Sequence, residues 1–271
     1  MLERFLARLS LTVHAGDFIL KGGMLMAAPH ARRPTVDIDL LAERLANDEQ
    51  SVLDRITAIA ARSVEPDDGV RYLPETARAR TIRDGDQYAG VRVTMQAKVS
   101  TAQVKLALDV NFGDPVTPEA GWIDYPSVLP SGSSVRLRGY PVDTVLAEKL
   151  VTAMTLGAAN TRARDYADLW TLTGLHDLDA DQVHQAITAT ARYREAVLTT
   201  LTEATIGLIE AQAGRYDAYR QALGNEGHHL PASFVTVVGD IRAFADPVLQ
   251  PPSHQTRRWS AAARRWESDV K

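Results

Sequence analysis

Asp37-Ile38-Asp39 is the segment whose residue types and spacing speak most directly of chemistry. On a β-strand successive side chains alternate, so both carboxylates share one face, about 6.7 Å apart along the strand, and Ile38 turns to the core. Two anions on one face repel each other unless a cation lies between them, and Mg²⁺ is held by one or two carboxylates together with phosphate oxygens. Asp109 lies in a second apolar strand, Leu106-Ala107-Leu108-Asp109-Val110, and becomes a third metal-binding carboxylate if that strand neighbours the first. Three converging carboxylates suit two-metal, in-line phosphoryl or nucleotidyl transfer. Gly22 and Gly23 stand upstream, with thirteen residues intervening between Gly23 and Asp37. Glycines let the backbone approach a phosphate, and a helix start offers free N–H groups. Lys21 adds a positive charge beside them. A DxD or a GG alone recurs by chance or as a turn; glycines, helix, strand and DxD within twenty residues are more specific.

A second polar constellation sits in helical sequence. Glu148 and Lys149 interrupt the apolar segment that starts at Asp143, and Arg162-Ala163-Arg164-Asp165-Tyr166-Ala167-Asp168 opens the next helix. Asp165 and Asp168 are three residues apart and share a helix face. One reading has Lys149 meeting a triphosphate while Asp165 orients it or acts as a base. The other has a surface lysine, and acidic residues that complement a helix N-terminus.

The elements that must position these groups follow from periodicity. Leu2, Phe5, Leu6, Leu9 and Val13 make a helical stripe. Residues 18–20 form a short apolar run, and 24–28 read as a helix start stopped by Pro29. Residues 36–41 read as a strand, 51–61 as a helix, and 70–73, 88–99 and 103–111 as strands. Pro, Gly and Ser cluster between Asp114 and Ser134, which reads as loop. Beyond Pro141 the pattern predicts helices over 142–154, 164–172, 181–191, 195–223, 232–245 and 256–270. Strands gathered in the front half and helices in the back half make an α+β chain, with the seam near residue 140. The expected domains are 1–140, mixed α/β, and 141–271, all helical.

Composition narrows the classes of function. The 271 residues include no cysteine, which excludes disulfide scaffolds, thiolate zinc sites and cysteine nucleophiles. Glu3, Arg4 and Arg8 break any signal-like run near Met1, and no stretch reaches the ~18–20 apolar residues of a membrane span. The expectation is a cytoplasmic protein with no membrane partner. The net charge of −4 argues against indiscriminate nucleic-acid coating but allows local basic areas. Arg78, Arg80, Arg83, Arg92, Lys98 and Lys105 form one such area, against Asp84 and Asp86. The second is a C-terminal helix with Arg257, Arg258, Arg264 and Arg265 along one side, and Trp259 and Trp266. There Arg suits phosphates and Trp an exposed base, or the Trp residues simply pack the helix.

Lys21-Gly22-Gly23 with Asp37-Ile38-Asp39, then Leu106 to Val110, then Ala147-Glu148-Lys149-Leu150, then Arg162 to Leu169, in this order, resemble the AbiEii/AbiGii-type nucleotidyltransferase toxins, including the mycobacterial MenT-type toxins. The resemblance runs from about residue 18 to 175. It implies a fold similar to DNA polymerase β-like nucleotidyltransferases, followed by a helical domain that completes the active site and contacts RNA. It implies a toxin that transfers a nucleoside monophosphate from an NTP, a pyrimidine in the members described, to a tRNA 3′ end and so blocks translation. It implies Mg²⁺, or Mn²⁺, as cofactor and an antitoxin as partner. Residue by residue, it makes Asp37, Asp39, Lys149 and Asp165 catalytic, and Asp37, Asp39 and Asp109 metal ligands. Lys21, Gly22, Gly23, Thr35, Arg164 and Asp168 become nucleotide-binding. Thr35 stands where family members carry Ser or Thr; its hydroxyl contacts a phosphate, is modified, or merely opens a strand.

Three rival readings stand beside this one: nucleotide transfer onto a protein side chain, a sugar-nucleotide glycosyltransferase using DxD, and a non-catalytic nucleotide- or antitoxin-binding module. Against the second, DxD normally follows several βα units, whereas here it arrives by residue 37.

Overall fold

The computed structural model describes residues 1–28, 31–84, 88–128, 132–250 and 257–268; the side chains of 83–89 also lie outside the description. Pro29, the Arg83 and Asp84 side chains, Asp86, and residues 256 and 269–270 of the expected last helix therefore fall outside it. The chain divides into two compact units. The first comprises Met1–Asp114 and Ala120–Tyr140, the second Pro115–Glu119 and Pro141–Lys271.

The first unit is built on one mixed sheet. Helix α1 (Leu2–Ser10) buries Phe5, Leu6 and Leu9, the stripe that its periodicity marks. Then come β1 (Phe18–Lys21), the single turn α2 (Gly22–Leu25), β2 (Ile38–Ala42) and α3 (Glu49–Ala60). The Asp48 carboxylate starts α3 by accepting the Ser51 N–H at 2.8 Å. Strands β3 (Val70–Asp84), β4 (Tyr88–Val99), β5 (Ala102–Phe112), β6 (Gly121–Tyr125) and β7 (Val135–Gly139) complete the sheet. Its order is β3-β4-β5-β2-β1-β7-β6; β2 runs parallel to β5 and β1 to β7, and the other neighbours are antiparallel.

The central strands β1 and β2 bury both faces, with Ile19 and Leu41 on the side of Asp39, whereas β4 and β5 bury one. Val91, Val93, Met95 and Ala97 of β4 and Leu106, Leu108 and Val110 of β5 are buried, alternating with polar or small residues on the other face. Helix α1 covers that apolar face: Phe5 meets Tyr72 of β3 edge to face at 5.9 Å, and Arg8 forms a buried ion pair with Asp68 at 2.6 Å.

The second unit holds α4 (Val142–Leu156), α5 (Ala163–Leu175), α6 (Ala180–Tyr193), α7 (Leu201–Ala204), α8 (Leu208–Ala222) and α9 (Phe234–Leu249). Residues 115–119 belong here because Thr117 and Thr144 exchange hydrogen bonds: the Thr117 N–H donates to Thr144 Oγ1 at 2.9 Å, and that hydroxyl donates to the Thr117 carbonyl at 2.8 Å.

Four expectations fail in detail. The second unit is not all helical: β8 (Leu178–Asp179), β9 (Arg257–Ser260) and β10 (Arg265–Ser268) form a small sheet, so the expected C-terminal helix is a hairpin across its described part. Trp259 and Trp266, seven residues apart, match two helical turns but are also register partners across a four-residue turn. Packing decides between the two. Trp259 is buried, donates Nε1–H to the Thr173 carbonyl at 2.6 Å, and meets Phe244 edge to face; Trp266 stacks on Phe244 at 5.3 Å. The indoles therefore pack the unit and do not present a stacking surface.

The helix expected over 195–223 is two helices, because a Thr200/Glu203 capping box starts α7 and Gly207, at φ +77°, intervenes before α8. The 114–134 loop contains β6, whose Trp122 to Tyr125 pair with β7. Strand β3 continues to Asp84 at the sheet edge, where few apolar residues mark it.

Candidate active site

The parallel pairing of β2 with β5 sets Asp39 directly beside Asp109, and Asp37 precedes Asp39 by two residues. Carboxylate oxygens of Asp37, Asp39 and Asp109 all lie within 4.8 Å of one another. Ile38, between the first two, is fully buried on the opposite face. The local pattern dictates this arrangement: an apolar residue flanked by acids can satisfy a half-buried strand only with the acids on the less buried face.

One of the three charges has a dedicated partner. Arg92, opposite Asp109 across β4 and β5, donates Nε–H to Asp109 at 2.6 Å and binds its other oxygen through Nη2. That bidentate geometry is strong, and it holds the Arg92 guanidinium more firmly protonated than usual. Asp39 is less well compensated. Burial first, and the Asp37 charge second, push its pKa up to about 6, although Lys21 and the Gly23 N–H pull the other way. The Thr35 hydroxyl donates to the Asp37 carboxylate at 3.2 Å. The acids are thus held apart from full neutralisation, which is the donor set a hard divalent cation fits.

The glycines lie against the same acids. Gly22 sits at φ +64°, and a Cβ there would run into the Asp39 carboxylate. A Cβ on Gly23 would come within 2.6 Å of Thr35 Oγ1. The Gly23 N–H is already engaged by Asp39, so these glycines first of all let β1 and β2 close around the acids. Lys21 is the register partner of Asp39, yet its ammonium is held by Asp114 at 2.5 Å and lies 5.0 Å from the Tyr140 ring centroid. Lys21 thus reaches Asp39 through its field and Asp114 through a bond.

The second unit carries its own buried charge cluster. Lys149 of α4 binds Asp165 at 2.6 Å and Asp168 at 2.8 Å, both on one face of α5. Burial works against the Lys149 charge, but the two carboxylates outweigh it and keep the ammonium protonated above its ordinary range. Burial likewise works against ionised Asp165, and Lys149 reverses the balance and lowers its pKa. Lys149 is therefore not a surface lysine. Arg162 approaches Asp165 at 3.9 Å, while Arg164 is exposed and acts on Asp165 only by its field. Glu148 pairs with Arg194 at 3.4 Å, away from the Lys149 cluster.

The structure thus gathers Lys21, Gly22, Gly23, Thr35, Asp37, Asp39 and Asp109 in the first unit, and Lys149, Asp165 and Asp168 in the second. Sequence reasoning misplaced Arg92 among the RNA-facing cations and passed over Asp114 and Arg162. The alternation Val91-Arg92-Val93 marks the polar face for Arg92, but no local signal tells which acid stands opposite it.

Comparison with known proteins supplies the remaining findings. A family model described as "Nucleotidyl transferase AbiEii toxin, Type IV TA system" matches residues 4–252. No curated protein matches the sequence. The crystal structure of JHP933 from Helicobacter pylori aligns over 92% of this chain and 90% of that one, at 15% identity and a TM-score of 0.49. A second H. pylori structure, of a candidate nucleotidyltransferase, aligns over 92% and 93%, at 15% identity and 0.48.

Proposed function

The chain belongs to the AbiEii family of nucleotidyl transferase toxins, and from that premise we propose that it transfers a nucleoside monophosphate from an NTP to the 3′ end of an RNA, a tRNA in the first instance, and so blocks translation. The observation that carries this reading is the clustering of three carboxylates within 4.8 Å with only one directly bound guanidinium among the described residues. Asp37 and Asp39, with Asp109 beside them, would hold a divalent cation, Mg²⁺ or Mn²⁺, which supplies charge neutralisation for the triphosphate and for the reacting hydroxyl.

The residues of the chain do the rest. Thr35 orients Asp37 through its hydroxyl, and Gly22 leaves space for the Asp39 carboxylate. Arg92 fixes the Asp109 side chain. Within the second unit, Asp165 and Asp168 keep Lys149 charged and take two of its three ammonium hydrogens. In this reading the α-phosphorus is attacked by the RNA 3′-hydroxyl, the new P–O bond forms as the bond to pyrophosphate breaks, and the hydroxyl proton leaves to a base or to solvent.

The family's place in toxin–antitoxin pairs implies a cognate antitoxin, and we take a pyrimidine NTP as the preferred donor. Among the described residues no helix is long and apolar enough to cross a membrane, and the reaction we propose belongs in the cytoplasm, where its RNA acceptor is. The test is incorporation from each of the four α-labelled NTPs into total RNA with Mg²⁺, comparing wild type with Asp37→Ala. No incorporation from any of the four would refute the transferase reading, and label in protein would move the acceptor to a side chain.

A further inference from the structure

The register of the first unit's sheet carries one more assignment. A single rung runs across five strands: Arg80 on β3, Arg92 on β4, Asp109 on β5, Asp39 on β2 and Lys21 on β1. Residues directly opposite in neighbouring strands share a face, so everything in phase with this rung lies on the face that bears the carboxylates. That face is opposite the one that Tyr72, Ala97 and Leu106 bury and that α1 covers.

Strand β5 starts at Ala102 but pairs with β2 only from Leu108 onward. The β3–β4–β5 ribbon therefore projects past the start of β2 by six residues, about 20 Å at ~3.3 Å per residue. On the carboxylate face of the ribbon, cations recur at rising distance from the rung. Arg78 is one pleat along β3, about 7 Å away. Lys105, opposite Gln96, is about 13 Å from Asp109 along β5. Lys98 is about 20 Å from Arg92 along β4, and Arg71 stands opposite it. Arg71, Arg78, Arg80, Lys98 and Lys105 are all exposed. The positions between them on β4 and β5 are Thr94, Gln96, Gln103 and Ala107, with no carboxylate and no aromatic ring.

We propose that this face is the track for the phosphate backbone of the RNA acceptor, leading its 3′ end to the Asp37–Asp39–Asp109 cluster; the inference rests on the transferase reading above and adds the place and chemistry of acceptor binding. Charge and composition select the occupant. A protein partner is ordinarily anchored by large exposed apolar or aromatic residues at the centre of its interface, and between its cations this face offers only Ala107 and the buried Leu73, which stands opposite Gln96. Without rings to stack on exposed bases, the face reads phosphates and not sequence. Spaced point charges interleaved with Thr and Gln donors suit a backbone whose anionic groups repeat at similar intervals. Arg92 is excluded from the track because Asp109 holds it.

The experiment uses the full chain with Lys98→Glu, Lys105→Glu and Arg71→Glu combined, and the Lys98→Arg/Lys105→Arg pair as the charge-preserving control. KM for a long structured RNA should rise by about tenfold or more at low salt, and the slope of log K against log salt should shrink by about 2, near ~0.7 per lost phosphate contact. KM for NTP, and kcat on an acceptor too short to leave the carboxylate rung, should stay at wild-type values, as should every parameter of the Lys→Arg control. An unchanged KM and salt slope would overturn the track, and so would an equal loss on the short acceptor. Loss of antitoxin binding with RNA binding intact would assign the face to an acidic protein instead. Direct RNA binding by fluorescence anisotropy separates the two layers. Wild type that binds RNA more tightly than the variant but transfers nothing sinks the transferase reading and keeps the track. Wild type that transfers while both bind alike does the reverse.

Discussion

Asp39→Asn isolates the electrostatic cost of gathering three carboxylates. In the folded protein Asp39 titrates near 6 instead of 3.8, because it is buried and because Asp37 stands beside it. That difference of about 2 pKa units corresponds to about 3 kcal/mol of penalty on the ionised form, at ~1.36 kcal/mol per unit. The sign follows from proton binding. Between pH ~4 and ~6 the folded chain holds a proton at Asp39 that the unfolded chain has released, so stability falls as pH rises through this window. Above pH 6 the whole penalty is present, and below pH 4 it is absent.

Asparagine keeps an oxygen for the Gly23 N–H and carries no charge. In the presence of a chelator, Asp39→Asn should therefore be more stable than wild type by up to about 3 kcal/mol at pH 7.5, and equal to it near pH 4. Urea unfolding at the two pH values measures this. Wild type should also gain stability from Mn²⁺ at pH 7.5, by ~2.7 kcal/mol at a hundredfold excess over Kd, and the variant should gain little. A variant equal to or weaker than wild type at pH 7.5 without metal would refute the reasoning, since the acids would then be compensated without a cation.

Three other substitutions bear on the same geometry. Gly22→Ala places a Cβ against the Asp39 carboxylate at a positive φ and should cost more than ~1 kcal/mol together with transferase activity; a stable, active Gly22→Ala protein would contradict the close approach. Lys149→Met leaves Asp165 and Asp168 buried without their cation and should cost ~3–5 kcal/mol, read by chemical denaturation, with wild-type stability as the contrary result. Arg92→Met frees the Asp109 carboxylate; calorimetry should find tighter Mn²⁺ binding and thermal melts a less stable metal-free protein, and unchanged metal affinity would remove Asp109 from the metal set.

What the sequence made legible was local. Apolar Ile38 between two acids, and Leu106, Leu108 and Val110 around Asp109, reveal which way the carboxylates face, because period-2 burial is written into each strand. The helical phase of Asp165 and Asp168 is equally local. Register is not: nothing within β2 or β5 says that Asp39 meets Asp109, or that Arg92 stands opposite Asp109 rather than facing solvent. Lys21 beside two glycines resembles a phosphate contact locally, while Asp114, which holds its ammonium, is ninety-three residues away. The C-terminal Trp pair shows the same limit from the other side. Spacing of seven fits both helix and hairpin, and only the position of Phe244 and the Thr173 carbonyl decides between them.

The most direct test of the central claim is sequencing of RNA 3′ ends after incubation of purified wild-type protein with tRNA, Mg²⁺ and the four NTPs, beside Asp37→Ala and a chelated control. The account predicts untemplated nucleotides added at tRNA 3′ ends by wild type with Mg²⁺ alone. Unaltered 3′ ends in every arm, or identical addition by Asp37→Ala, would contradict it.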